Sequence, residues 1–498
     1  MNVNPITRLD YPDPDVIRVE DTYYMVSTTM HFMPGCEILQ SFDLVHWEHA
    51  TYVYETLDHT DAQQLKSGQN IYGQGMWAAS LRYHEGRFYI CFVANDTRKT
   101  YLYTSEKIDG PWKKQLIEGF YHDGSLLFDE DGRNYIVYGN DEIWITELNE
   151  DLTAPKKGGL HRLLVSDHKN PELGYEGSHI QKINGYYYIF LIHSLRDRWM
   201  RTEACFYSDS LEGEFTGGDV LCDDRGYCGQ GVAQGGIVDT PDGKWYAMLF
   251  QDSGAVGRIP ILVPVTWKDH FPFFGQNGHV PEEIEVHSTR PGYIYQPLVG
   301  SDDFCNGLLP RWQFNHDPDP RYYHLDALQG TYTITTREVC TELTQAVNTL
   351  TQRMSYPSCA AEVTVDASAL KEGDVAGLCA LQGCYAAVGI TKHHGKYEVL
   401  MLDKKEDGIL DMTERTVVES HQMDFRLEAD FCNMKDEARC YYRVNKGDWL
   451  PIGTVHKLYF KLDHFTGCRF GLFCYAAEET GGSACFRDFK YYDVDEIS

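Results

Sequence analysis

The chain has 498 residues, 43% of them hydrophobic and 13% aromatic, and a net charge of −30. That length exceeds what one core supports and predicts two domains, while the charge argues against nucleic acid or an anionic membrane surface as partner, since both need clustered Lys and Arg. No apolar run approaches the roughly 20 residues that span a bilayer. The N-terminus lacks a basic segment followed by an apolar core. The 15 cysteines are scattered without Cys-x-x-Cys pairs, so a cytoplasmic protein with reduced thiols is expected.

The first distinctive stretch is YPDPDVI, Tyr11 to Ile17. Pro12 and Pro14 fix their own φ and push the preceding residue toward an extended conformation. Asp13 is therefore expected on a stiff, extended backbone just before a strand. A Pro-Asp turn has the same composition, so the stretch alone does not decide between catalysis and a turn. The decision comes from repetition. DPDVIRVEDTYYMVSTT from Asp13 is followed by WAASLRYHEGRFYICFVAND from Trp77, DGSLLFDEDGRNYIVYGND from Asp123, EGSHIQKINGYYYIFLIHS from Glu176 and QGGIVDTPDGKWYAMLFQD from Gln234. Each has a short β-prone run, a tight-turn signal such as Asn184-Gly185 or Asp242-Gly243, and a second run rich in aromatic and β-branched residues. That is the strongest short-range hairpin signal. Five hairpins roughly 45 to 65 residues apart have the period of propeller blades, so residues 1–295 are predicted to form a five-bladed β-propeller.

In a propeller the first strand of each blade lines the central channel. The opening positions, Asp13, Trp77 or Ala78, Asp123, Glu176 and Gln234, then face one small region. Three carboxylates brought together repel one another and lose solvation, which packing alone would not favour. The repeat therefore marks Asp13, Asp123 and Glu176 as candidate catalytic groups.

Between these positions, Phe32, Met33 and Trp47 are candidates for blade core or pocket lining, with Phe32 a candidate flat surface for a sugar. The polar stretch from Tyr52 to Gln74 reads as a long loop near the pocket. Trp77 is the first choice for a stacking platform. His179, three residues after Glu176, falls on the opposite face of its strand and reads as structural. Gln234 and Arg258, the latter in AVGRIPILVPVTW, are candidates for substrate contacts; Arg258 suits either a channel carboxylate or a substrate hydroxyl.

Residues 285–302, with Pro291, Gly292, Pro297 and Gly300, read as a linker. Beyond it, runs such as TYTITT, SCAAEVTVDA and RFGLFCYA alternate with turns. Strands without intervening helices predict an antiparallel β-sandwich over residues 300–498. Asp303 and Asp488 are weak candidates for a structural calcium site. Phe465, in HFTG, either reaches over the propeller pocket or, as its composition favours, sits in the sandwich core.

These segments resemble glycoside hydrolase family 43, the inverting β-xylosidases, α-L-arabinofuranosidases and arabinanases, in its two-domain β-xylosidase branch. The likeness rests on Pro12-Asp13-Pro14, Trp77-Ala78, Asp123-Gly124-Ser125, Glu176-Gly177 and Gly257-Arg258, in that order. It implies a five-bladed propeller followed by a concanavalin-like jelly roll. It also implies Asp13 as general base, Glu176 as general acid and Asp123 as the group that orients the acid and tunes its pKa. Tyr11 stands where many members have His, a departure expected to bear on sugar preference. Many members also carry a fifth-blade His linked to a calcium ion in the channel; Gln234 stands there, and an amide oxygen is itself a calcium ligand. The chemistry requires no cofactor.

The expected activity is release of terminal D-xylose from β-1,4-xylo-oligosaccharides with α-L-arabinofuranosidase activity beside it. The alternatives are an enzyme acting mainly on arabinose side chains of arabinoxylan or arabinan, and a non-catalytic carbohydrate-binding propeller. The oligomeric state is left open, a homo-oligomer included.

Overall fold

The computed structural model describes residues 2–493. The first half forms five four-stranded antiparallel sheets, and the second forms an eight-stranded and a seven-stranded sheet. The innermost strands of blades 1 to 5 are Asp15–Val19, Met76–His84, Ser125–Phe128, Glu176–Ile183 and Ile237–Asp239. In four blades the strands follow sequence order outward; blade 1 skips the short segment Phe32–Met33. The predicted hairpin signals sit at the turns. Glu85-Gly86 joins a pair that closes at His84 and Arg87, and Asn184-Gly185 joins Ile183 to Tyr186. All four turn residues have positive φ, as a two-residue hairpin matched to strand twist requires. The ring is tied at its ends, where Asn2–Val3 pairs with Glu283–Ile284.

Aromatic and β-branched residues fill the spaces between blades. Tyr101, Phe92 and Ile90 of blade 2, for example, pack with Val26 and Ile38 of blade 1. Alternation along the strands directs one residue set to each neighbouring blade.

The sandwich core takes in Ala255, Val256 and Ile259 of blade 5, so the two regions share apolar packing. They also share a sheet. Phe32–Met33 leaves blade 1 and pairs with Phe314 and Asn315 at the edge of the eight-stranded sheet. Phe32 is consequently fully buried in a sandwich core cluster with the Arg469 guanidinium 3.5 Å over its ring. It does not line a sugar pocket, contrary to expectation, because this segment belongs to the neighbouring sheet. Met33 and Trp47 are blade core.

Tyr11 is fully buried beneath the Arg353 guanidinium, at 4.1 Å. Arg353 in turn pairs with Glu37 at 2.9 Å across the seam. The Tyr11 departure thus concerns domain docking and not the pocket wall. The loop after Tyr52 also docks on the sandwich. His59 meets Asp317 at 2.7 Å, Tyr72 Oη donates to the Thr344 carbonyl at 2.7 Å, and the Ile71 N–H donates to His316 Nε2 at 3.0 Å. The His316 ring lies 4.9 Å from that of His31, and His31 lies 4.9 Å from His464, which forms a buried imidazole cluster in the seam.

Candidate active site

A cavity of about 240 Å³ opens at one end of the propeller channel. Asp13, Asp123 and Glu176 all line it, together with Trp77, Gln234 and Arg258. Of the residues predicted for the site, only Phe32 is elsewhere, apart from the weak candidates Asp303 and Asp488, which flank a surface groove on the sandwich.

Asp13 and Asp123 are each two residues ahead of the innermost strand of their blade, and both have left-handed backbones, with φ of 53° and 48°. The extended conformation expected for Asp13 is therefore not observed. Asp tolerates this region better than most residues, yet it costs roughly 1 to 3 kcal/mol, a strain typical of functional sites. The bend delivers Asp13 to two donors: Arg258 Nη1 donates to Oδ1 at 2.9 Å and Thr28 Oγ1 donates to Oδ2 at 2.6 Å. Asp123 Oδ2 accepts the Gly177 N–H at 3.0 Å. This bond accounts for the Glu-Gly pair. Gly177 has φ 65°, and a Cβ there would meet the Gln234 side chain at 2.4 Å. Glu176 Oε2 accepts Asn140 Nδ2 at 2.7 Å, and its side chain is the most exposed of the three acids at 22%.

His122 stands between two of the acids. Its Nε2 is 3.4 Å from Glu176 Oε2 and 3.5 Å from Asp123 Oδ2. Burial lowers its pKa, but Asp123, Glu176 and Asp13 together outweigh that and raise it to about 9. The shift favours the imidazolium, a second positive charge in the cluster beside the Arg258 guanidinium. For Asp123, burial is the largest influence and pushes the carboxyl upward; Glu176 and Asp13 reinforce that, against His122.

Arg258 is buried, and its Nε and Nη2 have no protein partner. Buried guanidinium N–H groups without acceptors are donors awaiting a ligand. The Phe465 ring lies 4.5 Å from the Arg258 guanidinium and 5.7 Å from Trp77. Phe465 thus closes the pocket and is not sandwich core. Asp10 holds it there. One Asp10 oxygen accepts the Arg258 N–H at 2.7 Å and the other accepts the Gly467 N–H at 2.8 Å. Gly467 has no room for a side chain, since a Cβ would lie 2.1 Å from the Val256 carbonyl.

Sequence reasoning missed His122, Asn140, Arg201, Met30 and Leu462, which also line the cavity. His122 carried a signal, since it adjoins Asp123. Arg201 pairs with Asp252 at 3.2 Å and opens a third strand, a position to which the repeat assigns nothing. Glu176, Arg201, Leu462 and Phe465 also line a larger cavity of about 680 Å³ between propeller and sandwich. Glu176 therefore stands where the smaller cavity meets the larger one.

Directly beneath the acids a network of polar side chains crosses the channel. Arg82 Nη1 donates to Asp15 Oδ2 at 2.8 Å, Nη2 to Ser125 Oγ at 2.7 Å and to the Ile180 carbonyl at 3.2 Å, and Nε to the Leu126 carbonyl at 2.8 Å. Asp15 Oδ1 meets His179 Nδ1 at 3.1 Å, so His179 is part of this network; it faces the channel as Glu176 does and not the opposite side as expected, because a register irregularity between Glu176 and His179 breaks the strand alternation. Blade 5 presents Gly236 to this network, with no side chain. Calcium takes six to eight oxygens. Here both Asp15 oxygens are engaged and the positive charge is already Arg82's, so the axis does not fit the calcium ion implied by the resemblance. Among the described residues the only group of three metal-type donors is His122, Asp123 and Glu176.

The family model for Glycosyl hydrolases family 43 matches residues 3–272, and that for the Beta xylosidase C-terminal Concanavalin A-like domain matches residues 301–492. A beta-xylosidase of Formosa agariphila is 27% identical over 99% of this chain and 89% of its own. A non-reducing end alpha-L-arabinofuranosidase of Bacteroides ovatus is 26% identical over 66% of this chain and 63% of its own. Among solved structures, a bifunctional GH43-CE protein of Bacteroides eggerthii is 42% identical with a TM-score of 0.93. This chain is covered completely and spans 64% of that one.

Proposed function

Since this chain belongs to glycosyl hydrolase family 43, we propose that it is an inverting exo-glycosidase releasing terminal D-xylose from β-1,4-xylo-oligosaccharides, with α-L-arabinofuranosidase activity in the same pocket. The observation that carries this reading is the meeting of three carboxylates in one small cavity capped by Phe465. A pocket that holds about one sugar ring suits attack at a chain end. The adjoining larger cavity gives the leaving part of the substrate a place beside Glu176.

In this reading Asp13 is the general base. Arg258 and Thr28 fix both its oxygens, so its lone pairs are oriented toward an attacking water. Glu176 is the general acid, placed at the boundary between the sugar and its leaving group. Asp123 orients the acid through the Gly177 N–H, one residue from Glu176. Inversion needs a water between base and sugar, with the two carboxyl groups about 6.5–9.5 Å apart. Arg258 Nε and Nη2 supply donors for sugar hydroxyls, and Trp77 and Phe465 supply apolar faces.

Proton NMR of xylobiose hydrolysis tests this directly. The first product seen should be α-xylose from the β-linked substrate. Release of the β anomer first would overturn inversion. Binding of xylobiose by calorimetry without release of xylose would leave a non-catalytic sugar-binding propeller. The arabinofuranoside reading draws on relatives named for that activity, such as the Bacteroides ovatus protein. Paired kinetics on aryl β-D-xyloside and aryl α-L-arabinofuranoside rank the two sugars.

A further inference from the structure

The channel network beneath the acids has a geometric property beyond filling space. Asp15 lies two residues after Asp13, Ser125 two residues after Asp123, and Ile180 four residues after Glu176. Arg82 bonds all three, from a fourth strand in blade 2. Its other bonds, to the Leu126 and Leu81 carbonyls, leave its fork no slack. Ser125 Oγ also accepts the Ile180 N–H at 3.0 Å, and Asp15 Oδ2 also accepts the Leu81 N–H at 2.7 Å.

We propose that Arg82 is a positioning residue that sets the mutual separation of Asp13, Asp123 and Glu176, by holding the three strands that carry them in one register. The proposal rests on the hydrolase reading for its catalytic consequence, though not for its geometry. The planar, five-donor guanidinium suits the task, because it addresses three partners along fixed directions at once. A lysine has one flexible point charge and no such fork. The 13% exposed Arg82 and fully buried Asp15 are shielded from water, so the pair is not weakened as surface pairs are. Two of the acids sit on left-handed backbone two residues before the tethered residues. A slipped strand would therefore carry the strained residue, and its carboxyl group, with it.

The test pairs Arg82→Met with Arg18→Met. Arg18 also bridges blades in the channel, from the strand that follows Asp13 to Asp239 of blade 5 at 2.5 Å, but it touches neither the strand that follows Asp123 nor the one that carries Glu176. Both variants should lose thermal stability. Only R82M should lose kcat, by about 30-fold or more with KM within about threefold, since misplacement of roughly 1 Å costs on the order of 100-fold. R82K should fall between R82M and the native enzyme, and it carries the comparison if R82M does not fold. A second readout needs no activity. Histidine-selective NMR should find His122 titrating near 9 in the native protein and closer to 6.5 in R82M or R82K, because its carboxylate neighbours have moved.

Equal kcat losses in R82M and R18M would reduce Arg82 to a stability element. An unmoved His122 titration in both Arg82 variants would overturn the proposal. A native enzyme inactive on every pentoside would sink the hydrolase reading, and the His122 titration would then judge Arg82 alone.

Discussion

His122 and His464 are both enclosed imidazoles, one at the propeller mouth and one in the seam with the sandwich. Burial lowers the pKa of each. At His122 three carboxylates reverse that and raise it to about 9. At His464 burial acts with Arg469, and the pKa falls to about 3. His31 and His316 beside it are also held well below the ordinary value, burial being the largest cause. A buried imidazole is thus charged or neutral according to whether anions accompany it. The propeller mouth gathers anions around its imidazole, whereas in the seam the nearest charge is the Arg469 guanidinium, which together with burial keeps the imidazoles neutral.

The largest effect expected from disturbing this contrast lies at the acids. Glu176→Ala or Asp13→Ala should lower kcat on aryl β-D-xyloside by about 10²- to 10⁴-fold. Retention of more than about a tenth of native activity would refute the roles assigned to them. Next comes the imidazolium. If its charge supports the acid cluster, native kcat/KM should decline as pH rises through about 9. His122→Phe should lose about tenfold in kcat/KM and shift the alkaline limb of the free enzyme's pH profile, since the imidazole stands 3.4 Å from the acid Glu176.

The seam predicts a pH effect on stability of opposite sign. His464 is neutral in the fold down to about pH 3 and titrates near 6.5 when unfolded. Between those values the unfolded chain holds the extra proton, so stability falls as pH falls. The slope is about 1.4 kcal/mol per pH unit for each such histidine. His122 works the other way. Its contribution is full below 6.5 and is lost as pH rises through about 9. Urea unfolding across pH 4–6.5 should give a shallower slope in His464→Gln than in the native chain. The smallest effect belongs to Phe465→Ala. Loss of the pocket cap should raise KM several-fold, by roughly 1 kcal/mol of contact, with kcat nearly kept.

Much of this was legible in the chain because the blade repeat assigns a common position to one residue per blade. Asp13, Trp77, Asp123, Glu176 and Gln234 all fall where that equivalence puts them, and Arg258 follows from its place at the head of a strand. What the repeat cannot express was lost. Phe465 reaches the pocket only because Asp10 ties Gly467 to the propeller, a contact 457 residues apart in sequence. Phe32 misled because two residues desert their blade for another sheet, and nothing in their composition distinguishes that from blade core. The bend at Asp13 was read as extended because the following proline normally enforces that. Here the bonds to Arg258 and Thr28 hold it otherwise.

The detour of Phe32–Met33 into the eight-stranded sheet has a practical consequence for anyone who cuts this gene. Severing the chain near residue 300 would not liberate two self-contained modules. One fragment would keep an orphaned apolar dipeptide, and the other would bare the backbone of Gln313–Asn315, a ready template for unwanted association. In fusions and shuffled libraries the propeller and the sandwich should travel as a single indivisible cassette.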